Sequence, residues 1–134
     1  MLGQHMYECG NGQYSFSLDK TVLKREEAEG LCNAIIEGMM TGYFDVVAHP
    51  DRIFRKCELC NSKMEKLSTD MIKVVIENNI TLERNISSMS KKNQYWKEFW
   101  DLVPDCAKTI IGLDAHSVAE LKITEAKWRT NYGI

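Results

Sequence analysis

Thr109-Ile110-Ile111-Gly112-Leu113-Asp114-Ala115-His116-Ser117-Val118-Ala119-Glu120 is the stretch on which the reading of the fold turns. Its apolar opening, Thr109 to Leu113, reads as a buried strand. Its close, Ser117-Val118-Ala119-Glu120, reads as a capping box in which the serine caps the first helical turn and the glutamate reaches back. Asp114 and His116 therefore fall where a strand ends and a helix begins. In α/β proteins that junction is where ligands and metals are held.

The same alternation extends back through the chain. Leu2 to Met6 is expected to form a short strand ending at His5, and the glycine-rich, polar run 8–13 a loop. A helix starting between Ser17 and Thr21, capped by Ser17 or Asp19, should run to about Met40, with Leu31, Ala34, Ile35 and Met39 at helical spacing. Thr41-Gly42 closes it. Val46-Val47-Ala48 has the short, β-branched character of a buried strand, and Pro50 ends it because proline has no N–H to give a ladder. A basic loop or helical turn, Arg52 to Lys56, leads to a second helix that starts at about Ser62 or Met64 and stops at Asn78-Asn79. Ile80 to Ile86 reads as a third strand, 87–93 as a polar loop, and Gln94 to Leu102 as a helix carrying Trp96, Phe99 and Trp100. The last strand and a helix from Val118 to about Arg129 follow. Strands that alternate with helices predict an α/β fold with a parallel sheet.

The bulk composition narrows the function. The 134 residues suit one domain, and 44% hydrophobic with 27% charged residues is the composition of a folded globular chain. A net charge of −2 marks no broad surface for nucleic acid or anionic membrane. No apolar run approaches the ~20 residues of a membrane span, and no basic segment followed by an apolar one opens the chain. The expected location is the cytoplasm, and neither nucleic acid nor membrane is an expected partner. Five cysteines at irregular spacing suit a reducing compartment. Cys57-Glu58-Leu59-Cys60 is a lone CxxC with no second pair to complete a zinc site, so two thiols without a metal are expected there.

The chain has three histidines, His5, His49 and His116, and each falls at the expected C-terminal end of a different strand. In a parallel sheet those ends face the same way, so the imidazoles would meet on one rim, and Asp114 adds a carboxylate. Three neutral nitrogens and an oxygen donor suit zinc, manganese or iron. Asp114 has two other readings, as a helix cap and as a partner of His116.

Phe44-Asp45-Val46-Val47-Ala48-His49-Pro50-Asp51, taken with Ile111-Gly112-Leu113-Asp114-Ala115-His116-Ser117, resembles the polymerase and histidinol phosphatase (PHP) family, and its histidinol-phosphatase branch most. Leu2-Gly3-Gln4-His5 is similar to a family strand that ends in a metal-binding histidine, and Leu82-Glu83-Arg84-Asn85 to the family's Glu-x-Asn strand. The resemblance runs through nearly the whole chain in order. It implies the C-terminal half of a distorted (β/α)7 barrel, parallel strands alternating with helices, with 1–134 as one partial domain. It implies a divalent metal centre held by His5, His49, Asp114 and His116, and hydrolysis of a small phosphomonoester such as histidinol phosphate. Asp114 and His116 would serve the chemistry, Asp114 by accepting a proton or bridging to the nucleophile. Arg52 and Arg55 would hold the substrate phosphate by charge-assisted bonds, and Asn85 would be structural or support the metal's ligands rather than be one.

The family's opening His-x-His strand has no counterpart here, and a barrel of this kind runs to about 250 residues. The expectation is therefore an incomplete metal cluster and open strand edges, covered by self-association or by a separate N-terminal half. Against the phosphatase stand a non-catalytic remnant that binds metal or a partner, and an amide hydrolase of the β/α-barrel type. The pairing of His-Pro with Asp-Ala-His argues against the last.

Overall fold

In the computed structural model, which describes residues 1–9, 12–16, 23–57, 61–89 and 95–132, the chain forms a mixed α/β fold around a parallel sheet. Strands β3 (Val46–Val47), β4 (Thr81–Asn85) and β5 (Lys108–Gly112) lie side by side in chain order, all parallel. Leu2 extends the sheet by a single parallel bridge to Val47: its N–H donates to Val46 O at 2.7 Å, and Ala48 N–H donates to its carbonyl at 2.8 Å.

The expected strand over Leu2–Met6 is thus reduced to that one bridge. Beyond it the chain turns into a hairpin, β1 (Met6–Glu8) antiparallel to β2 (Tyr14–Phe16), closed by Cys9 N–H donating to Gln13 O at 2.8 Å. The hairpin is held down by Tyr7, whose ring lies so close to Gly30 of helix α1 (Arg25–Met40) that any β-carbon at residue 30 would collide with it.

α1 begins at Arg25 behind Lys24, whose N–H donates to Glu27 Oε2 at 2.9 Å; the expected caps Ser17 and Asp19 lie outside the described residues. It ends as expected at Thr41-Gly42, where Gly42 takes a φ of 77° that costs glycine nothing. Helix α2 (Asn61–Glu77) stops at Asn79, also left-handed at φ 55°. The basic segment takes the helical of its two readings, as a 3-10 helix over Pro50–Lys56, and the polar loop begins with a single helical turn, α3 (Ile86–Met89). Helix α4 spans Lys97–Leu102, the expected start at Gln94 lying outside the described residues, and helix α5 (Val118–Tyr132) runs past Arg129.

The core lies between the sheet and α1, α2 and α4. Leu31, Ile35 and Met39 repeat every four residues along α1, and Met64, Leu67, Met71 and Val75 line one side of α2; all are buried with Val47 and Leu82. Phe54 from the 3-10 helix meets Trp96 at 5.0 Å and Phe99 at 6.1 Å between ring centres, and Phe99 packs edge-on to Trp100 at 5.2 Å. Burying these rings supplies much of the apolar area that holds the sheet's helix side.

β5 departs from its sequence reading. It was expected to be buried, but it pairs only with β4, and Ile110 and Ile111, which point to opposite faces, are 41% and 45% exposed. The apolar run carries β propensity, but no described element covers its far edge. Helix α5 packs near α3 and leaves Val118, Leu121 and Ile123 in solvent. No described helix is long and apolar enough to cross a membrane.

Candidate functional site

Alternation along β4 separates two chemistries. Leu82 and Arg84 face the helices, where Leu82 is buried and the Arg84 guanidinium sits 4.7 Å above the Trp100 ring. Glu83 and Asn85 face the other way, and both are buried. The polar face of the central strand is the floor of the candidate site.

His49 stands at its edge, two residues past β3. Its backbone is left-handed, φ 35° and ψ 59°, a strained conformation for a side-chain-bearing residue, and it caps the 3-10 helix that Pro50 opens. This turn aims the His49 N–H at Glu83, whose Oε2 accepts it at 3.1 Å. Glu83 in turn needs Gly112: in the neighbouring strand a β-carbon at residue 112 would collide with its carboxylate. The glycine inside the Ile-Ile-Gly-Leu run is therefore the space into which a buried carboxylate folds.

The second strained residue is Asp114, at φ 48°, two residues past β5. Arg52 Nη2 donates to Asp114 Oδ2 and to Ser88 Oγ, each at 3.3 Å, and so joins the ends of β3, β4 and β5. Positive φ at two non-glycine residues on one rim is the kind of backbone cost that functional sites carry.

His5 comes to this rim as expected, its ring centre 5.2 Å from that of His49. His116 does not join them. It lies 80% exposed with Nε2 4.0 Å from Asp114 Oδ1, a long contact for an ion pair. The reason is local: Ser117 Oγ accepts the Glu120 N–H at 3.1 Å, while Glu120 Oε2 accepts the His116 N–H at 2.9 Å. The capping box thus fixes the His116 backbone at the start of α5 and leaves its ring in solvent. Arg55 lies in the 3-10 helix, but its side chain is outside the described part of the structure.

Electrostatics follow from burial. His49 is pushed down to about 4, by desolvation first and then by the Arg52 charge and His5, so its ring is neutral at pH 7. Burial raises Glu83 above the ordinary carboxylate range, an effect the His49 N–H opposes and Asp114 adds to. Asp51 is raised by burial too, against the Trp96 N–H that donates to its Oδ2 at 2.9 Å. Away from the rim, the Cys57 thiol donates to Ile53 O at 3.0 Å and is pushed up to about 12 by burial, the opposite of an activated redox cysteine; Cys60 lies outside the described residues.

A divalent ion would find donors of the right kind here, neutral imidazole at His49 and a carboxylate at Asp114. Their disposition is in pairs: His5 with His49, Asp114 with Arg52. Among the described residues no three of His, Cys, Asp and Glu gather around one point as ligands. The guanidinium already supplies the positive charge beside Asp114.

No family model, no curated protein and no solved structure matches this chain.

The site therefore rests on its geometry. Sequence reading singled out His5, His49, Arg52 and Asp114, which meet on the rim, and His116, which stands apart in solvent. It passed over Glu83 and Ser88 as site residues. The signal for Glu83 was present, since two polar residues two apart in an interior strand, Glu83 and Asn85, must share a face. Nothing local marked Ser88, whose role depends on Arg52 reaching it across 36 positions of sequence.

Proposed function

We propose that the chain is a metal-dependent phosphomonoester hydrolase of the histidinol-phosphatase type, built on part of a PHP-like barrel. The observation that carries this reading is the rim itself: Arg52, His49, Glu83 and Asp114, drawn from three parallel strand ends, lie around one polar floor, with His49 and Asp114 in strained conformations. The barrel reading draws support from a sheet in which each strand lies beside its predecessor, without the reversal of a doubly wound sheet.

The His5 and His49 pair would hold a zinc, manganese or iron ion, with Asp114 joining it from the opposite strand once Arg52 turns away. Such an ion supplies Lewis acidity and lowers the pKa of water toward neutrality. Arg52 binds the phosphoryl oxygens through charge-assisted bonds, turning toward substrate from Asp114. Asp114, released from that pair, accepts a proton from the attacking water. His116, at the solvent edge, exchanges protons with bulk water. The edge of β5, which no described element covers, takes a second copy of the chain or separately supplied strands.

Metal analysis and phosphate release test the reading together. Chelator-treated protein reloaded with each ion should bind it saturably, hydrolyse histidinol phosphate, and lose both properties in His49→Ala. Protein that neither takes up metal nor releases phosphate would overturn it. A second reading, a metal- or partner-binding module without turnover, is favoured by the paired rather than clustered donors. Metal uptake without hydrolysis selects it.

A further inference from the structure

Two buried donors at one corner of the rim have no acceptor among the described residues: Asn85 Nδ2 and Arg52 Nε. Asn85 is 1% exposed, at the end of β4, and its Oδ1 accepts the Ser88 N–H at 2.8 Å. Arg52 donates to the Oγ of the same serine through Nη2. Ser88 thus anchors one end of each group, leaving the amide nitrogen of one and the Nε of the other unsatisfied in the same neighbourhood. Buried donors carry their full desolvation penalty unless an acceptor meets them, and folded chains seldom leave two together. Swapping the amide would not help, because its oxygen already has a donor in Ser88. The corner lacks an acceptor, and the cation beside it is the Arg52 guanidinium, which pairs with Asp114 through Nη2 and has Glu83 and Asp51 nearby, leaving Nε to meet an incoming oxygen.

We propose that Asn85 and Arg52 form an oxyanion subsite that takes a phosphoryl group, Asn85 donating from Nδ2 and Arg52 from Nε, with Ser88 holding both in register. Asn85 is then a binding residue rather than a structural one. The proposal deepens the phosphomonoesterase reading and takes from it the source of the phosphoryl group.

The test uses the full chain with chelator present, so that metal plays no part. The Asn85 side-chain NH2 and Arg52 Nε–H signals are followed by NMR during titration with inorganic phosphate, with an alkyl phosphomonoester, and with chloride at matched ionic strength. Both signals should shift saturably with at least one phosphate species and not with chloride; a response to the monoester alone assigns the subsite to substrate rather than free phosphate. Asn85→Asp keeps the acceptor for Ser88 N–H and replaces the donor with a carboxylate; with its fold verified by circular dichroism at the titration temperature, it should bind at least tenfold more weakly. No phosphate-dependent shift in the wild type, or wild-type affinity in Asn85→Asp, overturns the subsite. Phosphate binding lost in Asn85→Asp from a protein that never hydrolyses leaves the subsite standing and rejects the hydrolase. Hydrolysis with unchanged KM in Asn85→Asp does the reverse.

Discussion

At the scale of single residues, His49 concentrates the costs of the site. It is buried, it sits in left-handed conformation before a proline, and its ring is held neutral with a pKa near 4. An unfolded histidine takes up a proton near pH 6.5. Between those values the unfolded chain binds a proton that the folded chain refuses, so stability falls as pH drops through the window, by something on the order of 3 kcal/mol at its lower end. Glu83 and Asp51 run the other way, because raised carboxylates keep protons in the folded chain that the unfolded chain releases, and their stabilisation is lost as pH rises. Chelator-treated wild type should therefore lose stability from about pH 6.5 toward 4 more steeply than His49→Gln, as measured by urea unfolding at each pH. Parallel curves for the two proteins would show that His49 is not the group responsible. His49 was legible as a site residue from His-Pro at a strand end. Its neutrality was not, because desolvation depends on which elements close over it.

At the scale of elements, the 3-10 helix is the joint between sheet and helical layer. Phe54 sends its ring into the Trp96 and Phe99 cluster, and Asp51 accepts the backbone N–H of Trp96 just before α4. Asp51→Ala leaves that part-buried N–H without its acceptor and should cost about 1–2 kcal/mol. Asp51→Asn keeps an acceptor and removes a buried charge, so its cost should stay below roughly 1 kcal/mol. Thermal or denaturant melts of the two variants decide the point; equal losses would mean that the charge, not the hydrogen bond, holds the joint. The sequence marks this segment as a basic loop or helical turn because Arg52, Arg55 and Lys56 dominate its composition. Its buried side, Asp51, Ile53 and Phe54, becomes visible only once α4 is placed against it.

At the scale of the whole molecule, the sheet ends in an edge that no described element covers. β5 exposes Ile110 and Ile111 on its two faces, and Val118, Leu121 and Ile123 of α5 add apolar surface nearby. Parallel sheets are ordinarily covered on both faces, and an uncovered edge strand invites pairing. Sedimentation velocity over a range of concentrations should find the wild type self-associated, and Ile110→Lys or Ile111→Lys should weaken that association at least tenfold, about 1.4 kcal/mol. A wild type that stays monomeric throughout would mean that this edge tolerates water. The alternation of strand and helix, the stops at Gly42 and Asn79 and the cap at Ser117 were all determined by sequence alone, since periodicity and backbone stereochemistry act over a few residues. Tertiary structure alone decided that Met6 to Glu8 turns into a hairpin, that Glu83 folds into the space above Gly112, and that Arg52 rather than His116 is the close partner of Asp114. The last two join residues far apart in the chain, Arg52 and Asp114 by 62 positions, and at such separations strand order and side-chain direction, not local propensity, determine who meets whom.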